Sequence, residues 1–395
     1  MVSTQVSVRA FATSGAGIPF NDLTVQWREI AGEVREDFEA IFARSAFSSG
    51  PFVEAFERQI ASYLQVDHAI AVNSGTSAIH LAVLAAGLGA GDEVLVPAHT
   101  FIATLWGAVY AGATPVLCDV DARTGTIDLA DAAKRISPRS RAILPVHLFG
   151  QPADMDGILD LAARHSIVVI EDVAHAIGAR WNGRRLGTLG RFGCFSFYPG
   201  KNLGAAGEGG LIVTHERETA ARLVRLRNHG QSERYVHAEI GFNYRMDGLQ
   251  AAVLQRKLQR FERWTARKRD LARRYQDGLR GTPLLVPSVD HQDHVWHLFV
   301  VRTPRRDALR EHLREADIET GLHYPIPNHR QPCFRYLSID PEAFPQTDRW
   351  AEEGLSLPLY YGMTERQIDR VIDAVRDFFE LDGASMTVGA GERGV

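Results

Sequence analysis

Lysine is almost missing from this 395-residue chain. Of 44 basic residues only Lys134, Lys201, Lys257 and Lys268 are lysines, so chemistry that needs an amine nucleophile has four candidates. Cysteine is scarce as well. Cys118, Cys194 and Cys333 stand far apart with no C-x-x-C pair, which argues against a cysteine metal site and suits a reduced cytoplasm. Neither sign of charge dominates: 44 basic against 48 acidic residues give a net charge of −4. Neither nucleic acid nor an anionic membrane is therefore expected as a partner. The uncharged stretch from Pro97 to Cys118 contains His99, Gly107, Gly112 and Pro115, and it reads as helix, turn and strand rather than as a membrane span. Three motifs are also missing. No G-x-G-x-x-G follows an early strand, no G-x-x-x-x-G-K-[ST] loop occurs, and G-x-S-x-G is absent. Those absences speak against a nicotinamide site, a Walker-type phosphate loop and a serine hydrolase. The fifteen histidines are scattered, which offers no metal cluster.

What is present is ordinary globular composition, 45% hydrophobic and 23% charged, enough for two or three units with continuous cores. From about residue 65 short β-branched runs alternate with helical stretches. Strands are expected at His68–Val72, Glu93–Pro97, Thr114–Cys118, Ala142–His147, Ile167–Asp172, Cys194–Tyr198 and Gly210–Val213. Helices are expected at Thr76–Leu88, Ile102–Ala111, Leu129–Arg135, Met155–His165 and Glu216–Arg227. This alternation implies an α/β fold with a mainly parallel, buried central sheet. From Gly248 to Leu279 apolar residues recur at helical spacing among Arg and Lys, the pattern of a long linking helix with a solvated basic face. Val295–Val301, Ile318–Gly321 and Ile368–Phe379 then suggest a smaller α+β unit. The division expected is a mobile arm over 1–17, a large unit over 18–265, a small one over 266–380 and a frayed tail over 381–395.

Chemistry concentrates in three places. In Ser196-Phe-Tyr-Pro-Gly-Lys201-Asn-Leu-Gly-Ala-Ala-Gly-Glu-Gly-Gly210 a lysine sits in glycine-rich backbone with no charged neighbour before Glu208. The other three lysines each adjoin arginine. An amine in an apolar pocket has a lowered pKa and attacks a carbonyl as the free base, which makes Lys201 the candidate for a Schiff base. The bland alternative is a surface lysine on a glycine loop. Asp172 ends a buried strand, where ligands of parallel sheets sit; it suits either a helix cap or the partner of a pyridine nitrogen. Asn73-Ser-Gly75-Thr76-Ser77 joins a strand to a helix, a capped start whose free N–H groups and dipole can hold a phosphate. Phe101 follows the next strand and is either core or a stacking ring. Together these describe pyridoxal 5′-phosphate better than any other cofactor.

The motifs Asn73-Ser-Gly-Thr-Ser-Ala78, Pro97-Ala-His-Thr-Phe-Ile-Ala-Thr104, Pro145-Val-His-Leu-Phe-Gly150, Glu171-Asp-Val-Ala-His-Ala176 and the lysine loop stand here in order. They continue with Gly241-Phe-Asn-Tyr-Arg-Met246, His323-Tyr-Pro-Ile-Pro327 and Leu355-Ser-Leu-Pro358. From Ile18 to about Phe379 the chain resembles the DegT/StrS-type aminotransferases, within the fold type I pyridoxal phosphate enzymes. That resemblance implies a large cofactor-binding domain followed by a smaller C-terminal one. It implies Lys201 as the catalytic lysine, Asp172 on the pyridine nitrogen, and His175 on the ring hydroxyl or phosphate. Gly75, Thr76 and Ser196 would hold the phosphate and Phe101 would stack on the ring. Asn243 would reach the phosphate of a neighbouring subunit, which implies a homodimer with shared sites. Arg245, His323 and Tyr324 match positions near the substrate. The implied reaction moves an amino group from L-glutamate to a nucleotide-linked keto-sugar, at C3 by the similarity of the lysine loop. Amination at C4, a keto-cyclitol such as scyllo-inosose as acceptor, and a non-catalytic regulator with the same fold remain open.

Overall fold

A computed structural model describes residues 17–287 and 293–389, with side chains to 380. Apart from Gly17, the expected arm lies outside the described residues, as do 390–395 of the expected tail. The chain opens with two helices, α1 (Thr24–Arg44) and α2 (Pro51–Leu64), before the alternating region that carries the readable pattern. There follow β1 (His68–Val72), α3 (Gly75–Ala85), β2 (Glu93–Pro97), α4 (Ala103–Tyr110), β3 (Thr114–Cys118), α5 (Leu129–Arg135), β4 (Ser140–Ile143), α6 (Met155–His165) and β5 (Val168–Asp172). A short hairpin of β6 (Arg180–Trp181) and β7 (Arg184–Arg185) leads to β8 (Phe192–Ser196), β9 (Gly210–Thr214) and α7 (Arg217–Arg227).

Seven of these strands form one sheet in the order β1-β9-β8-β5-β4-β2-β3. Only β9 runs against its neighbours; β8, β5, β4, β2 and β3 pair in parallel. The sheet is mainly parallel, as the alternation implied. Its strands are apolar on both faces because helices cover both, with Leu95, Ile143, Val169 and Phe195 packing to one side and Val94, Val96, Ile170 and Phe192 to the other. The expected strand Ala142–His147 stops at Ile143. Pro145 has no N–H to give a ladder, and beyond it only an isolated bridge joins Val146 to Asp172.

After a second hairpin, β10 (Gln231–Glu233) and β11 (Val236–His237), come α8 (Gly248–Leu258) and α9 (Phe261–Gly278). The single long helix expected here is thus two. Its basic face is ion-paired rather than simply solvated: Arg256, Arg260 and Arg263 meet Asp37, Glu33 and Glu29 of α1. The boundary expected at 265/266 falls inside α9. The second packing centre is built on β12 (Phe299–Arg302), α10 (Arg306–Glu315), α11 (Pro345–Glu353), β13 (Gly354–Leu357) and α12 (Glu365–Gly389). There β12 and β13 pair antiparallel, and Leu309, Leu313, Leu355, Ile368 and Val375 form the core. Ile318–Gly321 makes only isolated bridges, one of them with Ile18, so the start of the described chain packs in this second core. No described helix is long and apolar enough to cross a membrane.

Candidate active site

The carboxyl ends of β1, β2, β5 and β8 open onto a cavity of about 930 Å³, where ligands of such sheets bind. On one wall is the first turn of α3. Ser74 caps it by accepting a hydrogen bond from Ser77 N at 3.1 Å, and Gly75 and Thr76 precede the first satisfied amides of the helix. The close approach of β8 requires glycine at 75, since a Cβ there would stand 2.7 Å from the Cβ of Ser196. Ser196 therefore ends β8 directly against the helix N-terminus, and its hydroxyl and the free N–H groups form one polar cradle.

Asp172 ends β5 and is fully enclosed. Its backbone N–H is held by Pro145 O at 2.9 Å. Its carboxylate accepts from Thr104 Oγ1 at 2.8 Å and from Ala174 N at 3.0 Å. Burial raises its pKa against the pull of those hydrogen bonds and of the Lys201 and His147 charges. Beneath it, buried Glu171 accepts from the N–H groups of Gly187, Leu189 and Gly190 and meets His147 Nε2 at 3.1 Å. The strand end that aims Asp172 is thus pinned from behind.

The expected strand Cys194–Tyr198 ends at Ser196. The loop after it folds back so that Phe197 bonds both Gly209 and Ala205, and Lys201 N donates to Tyr198 O at 2.8 Å. Part of the Lys201 side chain faces the cavity while its amine is enclosed. Burial pulls that amine down to about 8, opposed by the carboxylate of Asp172. His175 is enclosed too, and burial holds its imidazole well below the usual range. Phe149 N donates to its Nδ1 at 3.2 Å, which leaves the proton on Nε2, 3.4 Å from the Tyr324 hydroxyl. Phe101 is 51% exposed on the cavity rim, its ring 5.6 Å from that of Tyr324. His323 Nδ1 meets Ser356 Oγ at 2.9 Å, and burial lowers His323 to about 4.

Gly75, Thr76, Phe101, Asp172, His175, Ser196, Lys201, His323 and Tyr324 thus line one cavity. Asn243 and Arg245 do not. Their segment runs beside the end of β1, where Asn243 is exposed and Arg245 Nη1 donates to Asn228 Oδ1 at 2.7 Å. One expectation about the lysines is overturned. Lys257 and Lys268 adjoin arginines in sequence yet are buried, and Lys268 lines the same cavity as Lys201. Adjacent residues on a helix point about 100° apart, so a neighbouring arginine says nothing of the face a lysine takes. The apolar stripe of Trp264, Leu271 and Tyr275, with Lys268 between them at helical spacing, was the available signal. Thr104 and His297 also went unassigned from sequence.

The arrangement fits pyridoxal phosphate. Among the described residues the Asp172 carboxylate has no cationic hydrogen-bond partner, the amides at the start of α3 stand against Ser196, whose Oγ takes one long bond from Tyr198 N at 3.4 Å, and Lys201 lines the same cavity. No cluster of three or more His, Cys, Asp or Glu among the described residues could hold a metal ion.

The DegT/DnrJ/EryC1/StrS aminotransferase family model matches residues 28–376. A dTDP-3-amino-3,4,6-trideoxy-alpha-D-glucose transaminase of Streptomyces venezuelae is 45% identical over 367 residues, covering 92% of this chain and 96% of the relative. The crystal structure of S. venezuelae DesV in complex with a ketimine intermediate superposes with a TM-score of 0.90 at 43% identity, over 92% of this chain and 99% of that one. Bacillus subtilis ntda with bound cofactor PMP gives a TM-score of 0.87 at 30% identity, over 93% and 86% of the two chains. The chain belongs to the DegT/DnrJ/EryC1/StrS aminotransferase family. It is an α/β enzyme of the aminotransferase class.

Proposed function

We propose that this enzyme uses pyridoxal phosphate to move an amino group from L-glutamate to a keto-sugar carried on a nucleoside diphosphate, at C3 of the sugar. The observation that carries this reading is the meeting of Lys201, Asp172, Ser196 and the start of α3 in one cavity. Pyridoxal phosphate supplies an aldehyde that takes up amines and a pyridine ring that accepts electrons. The N–H groups of Gly75 and Thr76 and the Ser196 hydroxyl bind the phosphate, and the α3 dipole favours that charge. Phe101 covers the ring face at the cavity rim. Asp172 holds a proton at the pyridine nitrogen, while His175 offers its Nε2–H. Lys201 Nζ would hold the cofactor through its aldehyde, and as a free amine it would act as the base that moves a proton from the donor's α-carbon. The depressed Lys201 pKa serves both tasks. His323 and Tyr324 orient the sugar.

Asn243 completes the phosphate site of a neighbouring subunit, and the working unit is a homodimer in the cytoplasm. Its exposure outside the cavity of its own chain supports this, as do the exposed Tyr235, Val236 and Ile240 just before it. The relative's name, a 3-amino-sugar transaminase, supports C3. The test is to supply L-glutamate with thymidine diphosphate sugars bearing a 3-keto or a 4-keto group and to locate the new amine by NMR. Amination at C3 is expected. Amination of the 4-keto sugar alone would correct the position, and amination of neither would overturn the substrate class.

A further inference from the structure

We propose that Lys268 is a positioning residue for Lys201, tying the loop that carries the catalytic amine to the chain segment that carries His297. This rests on the reading of Lys201 as the cofactor-bearing lysine. Lys268 lies on α9 and is 8% exposed. Its Nζ donates to Asn202 Oδ1 at 2.9 Å and to the carbonyl of His297 at 3.3 Å. Asn202 is the residue after Lys201, and its Nδ2 donates to Val295 O at 2.8 Å. The three bonds close a ring: Lys201's neighbour is fixed both to α9 and to residues 295–297. The same segment sets the ring of His297 4.5 Å from that of His175, so one side chain aligns two walls of the cavity.

Among the described residues Lys268 forms no salt bridge with a carboxylate. Enclosing an amine against two neutral acceptors is costly, and a leucine-sized apolar group would fill the space at less expense. Burial draws Lys268 down to about 7, but the charged and neutral forms both keep N–H groups to give, so the tie does not depend on its titration. What it supplies is a tie to α9 in a loop that is otherwise held by backbone bonds from Lys201 N to Tyr198 O and from Ala205 N to Phe197 O and by the Asn202 bond to Val295. A reacting atom displaced by about 1 Å loses on the order of a hundredfold in rate.

The test follows apo-protein mixed with pyridoxal phosphate. There the Lys201 Nζ forms a C=N bond to the cofactor aldehyde carbon, water leaves, and visible absorbance grows. Wild type, Lys268→Met, Asn202→Ala and the double variant are compared by the rate of that growth and by Tm. Each single substitution is expected to slow it about tenfold or more, and the double variant to be no slower than the slower single, because both cut one tie. Lys268→Arg, which keeps N–H donors, should recover part of the rate. If wild type itself gains no absorbance, the proposed function fails. If wild type gains it and Lys268→Met matches its rate, the positioning role is overturned, whatever happens to Tm. Should Lys268→Met not fold, Asn202→Ala decides alone, and a wild-type rate there overturns the role.

Discussion

Asp172 shows how much one enclosed carboxylate is asked to do. Among the described residues its carboxylate takes hydrogen bonds from Thr104 and Ala174 alone, and its pKa is raised because burial outweighs them. A proton held on a pyridine nitrogen would restore its counter-charge. Asp172→Asn keeps the shape and removes that charge. Cofactor should still attach to Lys201, while kcat for transamination falls on the order of 10² to 10⁴-fold; a fall of less than about tenfold would mean the carboxylate is not the ring's partner. Lys201 gives a second expectation, in pH. An amine near 8 is protonated below that value and free above it, so the rate of cofactor capture should rise with pH and level off above about 8. An unperturbed lysine would level only above about 10.4. Lys201 was legible in the sequence because glycine-rich backbone isolates it from other charge. Lys268 was not, because its neighbours Arg267 and Arg269 mask a buried position that only the helix face reveals.

At the scale of elements, the site is the contact between α3 and the end of β8. Gly75→Ala would press a Cβ to 2.7 Å from Ser196, and overpacking of this kind costs about 1–3 kcal/mol. Cofactor affinity, measured by titration of apo-protein, should fall about tenfold or more with the fold retained; unchanged affinity would show that this cradle does not hold the phosphate. Several strands could be read to the residue, because β-branched runs between turn residues have sharp limits: β1, β2 and β3 are such cases. β4 could not, since the apolar run through Leu144 and Val146 continues past the proline that ends the ladder. The helices α1 and α2 also escaped. Buried positions Ile30, Val34 and Ile41 of α1 do recur at helical spacing, yet they are diluted by charged residues, among them Glu29, Glu33 and Asp37, which pair with Arg263, Arg260 and Arg256.

At the scale of the whole molecule, two packing centres meet around the cavity. The large sheet contributes Asp172, Ser196 and the start of α3, while α9 and the segments before β12 and β13 contribute Lys268, His297, His323 and Tyr324. What the single chain leaves aside is Asn243, exposed beside β1. Asn243→Ala should weaken cofactor binding about tenfold, roughly 1.4 kcal/mol, without changing Tm of the apo-protein by more than a degree or two. Affinity equal to wild type would refute a site shared between subunits. A residue proposed to act on another copy would leave no signature in the hydrophobic pattern of its own chain, which is why the family likeness, and not periodicity, pointed to it.

The measurement to make before any of these is an absorbance spectrum of the purified protein supplied with pyridoxal phosphate, before and after L-glutamate, with Lys201→Ala alongside. Wild type should gain visible absorbance that L-glutamate bleaches, and Lys201→Ala should show no lysine-linked band and no turnover. A wild-type protein that stays colourless, or a Lys201→Ala variant that still transfers amino groups, would contradict the assignment of Lys201.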